Sequence, residues 1–200
     1  MDSRFFSVER HERVFRVRLQ SSDGTNRLTG ECVRALTEIV SQLAGEKLPV
    51  VLAGNDRFFS AGADLEEISG LYGPAAYEFS KMGQALMAAI DGFPAPVYAA
   101  ISGYCMGGGL DLALACHSRI AAPHAVFGHR GAALGLITGW GGTQRLPRLV
   151  GKGRALQIFA AAEKVTAIQA LGMGLVDALA DDPIAEAVRR VRDRQPRDSP

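Results

Sequence analysis

A chain of 200 residues with 48% hydrophobic content is long enough for one domain with a substantial core. Its formal net charge of +1 gives no electrostatic case for nucleic acid or an anionic membrane, and no apolar run approaches the roughly 18 residues of a membrane span. The four histidines are scattered without metal-ligand spacing, and the three cysteines, Cys32, Cys105 and Cys116, form no CxxC pair. That cysteine usage argues against a disulfide framework and for a reducing cytoplasm, and the N-terminal MDSRFFSVERHERV reads as too charged for a signal peptide.

Residues 13–20, RVFRVRLQ, alternate apolar and basic side chains, the period of a half-buried strand. SSDGTNRL after them is a loop with an Asp23-Gly24 turn. Thr29 is placed to cap a helix over 30–43, with Val33, Leu36, Ile39, Val40 and Leu43 as its apolar face. PVVLA at 49–53 is wholly apolar, as in a strand buried on both faces. In FFSAGADL, 58–65, a strand runs into a small-residue loop and then a helix start, with Asp64 as the N-cap. Residues 70–74 break the pattern, and 75–90 read as a helix with Phe79, Met82, Leu86 and Ile90 on one stripe. Phe93-Pro94-Ala95-Pro96 stops that helix and leads into an apolar strand over 97–101.

The rest of the chain is organised around 102–119, SGYCMGGGLDLALACHSR. Gly107, Gly108 and Gly109 separate the preceding strand from a helix-like run over 110–116. A strand, a glycine turn and a helix leave free backbone N–H groups at the positive end of the helix dipole, and glycine lets a ligand reach them. Such a turn holds an anion or a developing oxyanion. Asp111 falls within the first helical turn among apolar neighbours, either as a helix-start stabiliser or as a catalytic acid/base.

Short strands are expected at 119–122 and 125–128, around Pro123-His124. LGLITGWGG, 134–142, is punctuated by glycine around the single tryptophan, Trp140. Helices are expected over 143–149, 153–162 and 167–171, the last capped by Thr166 and ended by Gly172-Met173-Gly174. Residues 175–177 read as an extended return, 184–194 as a basic amphipathic helix, and QPRDSP as a disordered end. Strands alternating with helices predict an α/β architecture with parallel strand pairs and right-handed crossovers. Ligands in such sheets gather at the C-terminal ends of strands, where both glycine loops lie.

The glycine spacing of GYCMGGG is wrong for a dinucleotide fingerprint, no Lys-Ser or Lys-Thr follows it as in a P-loop, and no G-x-S-x-G is present. What is left is two separate backbone loops, each able to donate one N–H to the same oxygen, as polarising a thioester carbonyl requires. Taken singly, each loop reads more readily as an ordinary tight turn, since glycine turns are common.

Together, FFSAGADL, GYCMGGGLDLALAC and LGLITGWGGTQRLPRLVG resemble the crotonase superfamily, the enoyl-CoA hydratase/isomerase family, over residues 14–177. The resemblance implies a spiral of repeated ββα units with acyl-CoA bound across it. It implies an acyl-CoA-binding core over 1–183, followed by a basic helix and tail over 184–200. It also implies a cytoplasmic homo-oligomer (a trimer or hexamer) that needs no cofactor beyond the coenzyme A of its substrate. By position, the N–H of Ala63 matches the first oxyanion donor and that of Gly108 the second, with Gly62 and Gly107 beside them. Ala61, Asp64 and Leu65 match positions along the CoA adenine and pantetheine path, and Arg27 and Lys81 are candidates for CoA phosphates or plain surface charges.

Asp111 falls on the first of two glutamates with which hydratases hold and activate water, shorter in reach by on the order of 1 Å. The second glutamate is missing. The family's phenylalanine-glycine-x-proline-glutamate run reads Phe127-Gly128-His129-Arg130-Gly131, so its position is Gly131. His129 is the nearest titratable substitute, although a histidine there reads more readily as packed or solvent-facing. Tyr104, Tyr72 and Tyr77 are weaker candidates, and Cys105 reads as structural. The family usually carries further C-terminal helices over the acyl pocket, so the resemblance implies a short member or a lid from a neighbouring subunit. Hydration or double-bond isomerisation of enoyl-CoA is the implied reaction. The alternatives are decarboxylation, C–C hydrolysis or a CoA-thioester binder without catalysis.

Overall fold

A computed structural model describes residues 3–194, so the QPRDSP end lies outside the described residues. The chain opens on an antiparallel hairpin, β1 (Phe6–His11) and β2 (Val14–Leu19), turned at Glu12 with φ 55°. A two-residue β3 (Arg27–Leu28) leads into α1 (Gly30–Ala44), where the Thr29 side chain accepts from the Cys32 N–H as expected of an N-cap.

A unit then repeats: a strand, a second strand turned out of its plane, and a helix. Its first copy is β4 (Val50–Ala53), β5 (Phe58–Ser60) with the short β6 (Gly62–Ala63), and then α2 (Leu65–Ser69) and α3 (Pro74–Asp91). The second is β7 (Val97–Ile101), β8 (Tyr104–Met106) and α4 (Gly108–Ala115). The third is β9 (Ser118–Ala121), β10 (Val126–Gly128), a 3-10 turn at Gly131–Leu134, and α5 (Gly142–Val150) with α6 (Lys152–Ala160). The chain closes with β11 (Lys164–Thr166), α7 (Ala167–Gly172), β12 (Ala178–Leu179) and α8 (Pro183–Arg194).

First strands pair with first strands and second with second. One sheet runs β1-β2-β4-β7-β9-β12, parallel from β2 onward, and the other runs β11-β10-β8-β5. Strands β5, β8 and β10 are parallel to one another. This is the ββα spiral that the resemblance implies.

The larger sheet is covered on both faces, which is why β4 and β7 are apolar throughout. Val50, Leu52, Val97, Ala99 and Ile101 face a core built with α1, α3 and α4. Val51, Ala53, Tyr98, Ala100 and Ile120 face the other way, onto Ala187, Val188 and Val191 of α8. Arg119, buried in β9, donates through Nε to the Leu175 carbonyl and through Nη1 to the Cys116 carbonyl, tying the sheet to the chain's return.

Three expectations need correction. Strand β1 was not foreseen, because along FSVERH only Phe6 is fully buried and no apolar alternation results. The extended return falls at Ala178–Leu179 rather than at 175–177. There, Leu175 and Val176 both turn their N–H groups to the Ala170 carbonyl, and the Asp177 carboxylate accepts from Ser118 and the Arg119 N–H. Between strand β7 and helix α4 the glycine stretch is not a single turn, since β8 intervenes and joins the second sheet.

Candidate active site

The loop after β5 and the start of α4 touch backbone to backbone. Gly62 has φ +99° and Gly107 φ +52°, conformations that favour glycine. A Cβ on Gly62 would lie 3.0 Å from the Gly108 nitrogen, and one on Gly108 would lie 3.2 Å from the Ala63 nitrogen. Gly108 is the first residue of α4, so its N–H has no acceptor within the helix. The two N–H groups singled out from the sequence therefore lie side by side.

They border a cavity of about 720 Å³. Ala61, Gly62, Ala63 and Leu65 line it from the first loop, and Gly107, Gly108 and Asp111 from the second. His129 and Gly131 line it from the segment after β10. The Gly107 N–H donates to the Gly128 carbonyl at 2.9 Å, and this bond carries His129 to the mouth of the glycine turn. Asp64 is not among the lining residues. It caps α2, accepting from the N–H groups of Glu66 and Glu67, with Arg27 at 3.6 Å. Arg27 also pairs with Asp23 at 3.2 Å, and Lys81 lies exposed on α3.

Asp111 is 2% exposed. Its Oδ2 accepts from the Thr138 hydroxyl, which in turn accepts from the Trp140 N–H at 3.4 Å. Its Oδ1 has no hydrogen-bond partner among the described residues and faces Gly142, where a Cβ would come within 2.1 Å of it. The first residue of α5 must be glycine for the carboxylate to lie there. His129 is 7% exposed, with Nε2 3.9 Å from Asp111 Oδ2.

Gly131 is tightly packed. A Cβ there would lie 2.7 Å from the Leu136 carbonyl oxygen, because the Leu136 N–H bonds back to the Gly131 carbonyl and folds the loop over it. Tyr72 and Tyr77 are exposed and do not line the cavity; Tyr104 also lies outside it, stacked near Phe58 at 5.4 Å. The Cys105 thiol is fully buried and donates toward the Gly109 carbonyl; burial, then the charges of Cys116 and Asp111, push it well above its ordinary range. Its role is structural.

Sequence reasoning missed Thr138 and underread Trp140. The indole lines the cavity, donates from Nε1 to the Phe79 carbonyl at 3.3 Å and packs on Gly108. A lone tryptophan inside a glycine-flanked loop was a signal for it, whereas nothing local marks Thr138.

The sequence profile described as enoyl-CoA hydratase/isomerase matches residues 9–195. The chain belongs to the enoyl-CoA hydratase/isomerase family. It is 44% identical over 144 residues to a probable enoyl-CoA hydratase of Bacillus subtilis (strain 168), covering 72% of this chain and 55% of that protein. It is 35% identical over 173 residues to a crotonyl-CoA hydratase of Syntrophomonas wolfei, covering 85% of this chain and 66% of that protein. The crystal structure of an enoyl-CoA hydratase from Bacillus anthracis superposes with a TM-score of 0.89 at 33% identity, covering 94% of this chain and 76% of that one. The chain thus spans 55% and 66% of the lengths of those two relatives. Among the described residues that line the cavity, Asp111 is the one carboxylate.

Proposed function

We propose that the chain hydrates or isomerises an enoyl-CoA thioester through an enolate held by the N–H groups of Ala63 and Gly108. Coenzyme A enters as part of the substrate, and Asp111 moves the proton. The observation that carries this reading is the backbone contact between the two loops, with the Asp111 carboxylate buried in the same cavity. Two donors preorganised around one point stabilise negative charge as it develops on the thioester oxygen, without the reorganisation that water would need. The cavity wall is largely apolar, through Ile68, Leu71, Phe79, Leu136 and Ile137, which suits an acyl chain.

Replacing Asp111 by Asn tests the assignment. Turnover of crotonyl-CoA is expected to fall by roughly 10²–10⁴, the range for losing a positioned acid/base, while thioester affinity stays within a few fold. Turnover left intact contradicts the role of Asp111.

The crowded space at Gly131 favours one further reading. Enolate reactions that manage with one carboxylate, decarboxylation of an acyl-CoA among them, would not need the absent side chain. Release of carbon dioxide from a malonyl-type CoA ester, with no hydration of crotonyl-CoA, is the outcome that would select it.

A further inference from the structure

Hydration needs one group to take a proton from water and another to deliver a proton to the α-carbon. The second has no carboxylate here, since Gly131 stands at that position and the Leu136 carbonyl crowds it. The cavity holds a different group. His129 Nε2 lies 3.9 Å from Asp111 Oδ2, and among the described residues neither Nε2 nor Asp111 Oδ1 has a hydrogen-bond partner. Buried polar atoms left unpaired are rare and costly, so two in one cavity mark a place kept for something other than packing. The other ring nitrogen, Nδ1, lies 3.4 Å from where a Cβ would stand on Gly131. The imidazole therefore adjoins the stem of the absent carboxylate. The ring is held edge-on to Phe159 at 5.3 Å, and Thr138 fixes the aspartate.

We propose that His129 is the second proton-transfer group of this site, working with Asp111. The inference rests on the enolate reading given above. As the water oxygen bonds to the β-carbon, Asp111 takes the water's proton. The electron pair of the Cα=Cβ bond moves onto the thioester oxygen, and the N–H groups of Ala63 and Gly108 hold the enolate. The enolate then collapses, and its α-carbon takes the Nδ1 proton of the His129 imidazolium. Water has added across the double bond, and the pair keeps its proton count: Asp111 holds one proton, the imidazole has given one. Exchange with water in the cavity returns that proton to the ring before the next turnover.

The half-reaction at the α-carbon separates the two groups. Saturated butyryl-CoA cannot be hydrated, but its α-protons exchange with deuterium oxide through the same enolate. Wild-type protein is expected to exchange them. In His129→Gln, exchange and crotonyl-CoA hydration are expected to fall together by about 10²-fold or more, with butyryl-CoA affinity and melting temperature close to wild type. In Asp111→Asn, hydration is expected to fall at least about tenfold further than exchange, because Asp111 acts on water.

A folded His129→Gln protein that exchanges at the wild-type rate overturns the proposal. So does a loss in that variant that follows lost binding or lost stability. Should the glutamine variant not fold, His129→Asn takes its place with the same readouts. Wild-type protein that neither exchanges butyryl-CoA nor hydrates crotonyl-CoA overturns the enolate reading itself, a different failure from an indifferent His129.

Discussion

Gly108 lies flat against Trp140: a Cβ on the glycine would come within 2.6 Å of Cζ3 and 2.9 Å of Cε3 of the indole. The indole is anchored on its far side by its hydrogen bond to Phe79 and a tilted ring contact with Phe79 at 5.3 Å. It has no room to retreat, so the spacing of the Ala63 and Gly108 N–H groups depends on a hydrogen atom at Gly108. Gly108→Ala keeps the N–H but displaces it. Catalytic efficiency should drop by about 10²-fold, the size expected for a shift of around 1 Å in a positioned group. Steady-state kinetics against crotonyl-CoA measures it, and an unchanged kcat/KM would show that Gly108 takes no part.

Gly131 behaves as a packing position. The Leu136 carbonyl oxygen would lie 2.7 Å and its carbon 3.2 Å from an added Cβ, and both are backbone atoms that move only with the loop. Gly131→Ala should therefore cost roughly 1–3 kcal/mol, as overpacking does, read as a lower urea midpoint. Gly131→Glu should likewise lose stability without gaining hydration rate. A glutamate variant that hydrates faster than wild type would mean that the loop opens freely.

The three cysteines should be silent toward alkylation. Burial pushes the Cys32 thiol from 9.0 up to about 12, and burial, opposed by Arg119, does the same to Cys116. Iodoacetamide at pH 8 should label none of the three in the native protein and all three in urea, since the thiolate is the reactive form. The linkage runs in one direction. A folded pKa above the unfolded one stabilises fully below pH 9 and is lost as pH rises toward about 12. Alkaline unfolding should therefore shift to higher pH in a Cys32→Ala variant. Rapid native labelling would contradict the burial of these thiols.

The sequence makes the long elements plain and hides the short ones. Thr29 announced α1, and the runs of four and five apolar residues in β4 and β7 announced the buried sheet. The second sheet showed only in part: strands were expected where β5 and β10 lie, but β8 and β11, at three residues each, are too short for a period of two to register. The glycine loops were legible as loops, and their meeting at Ala63 and Gly108 followed from the resemblance. The partner of Asp111 was not legible, since Thr138 lies 27 residues further on with no local feature to mark it. Nor did local sequence show that the Leu136 carbonyl crowds Gly131, because that contact exists only once the loop has folded back.

The most direct measurement is mass spectrometry of crotonyl-CoA incubated with the protein, once in heavy-oxygen water and once in deuterium oxide. The product is expected to carry one heavy oxygen in the first case and one deuterium at the α-carbon in the second. Deuterium uptake without added water would keep the enolate and assign isomerisation. Crotonyl-CoA recovered with neither label would contradict enolate chemistry at Ala63, Gly108 and Asp111.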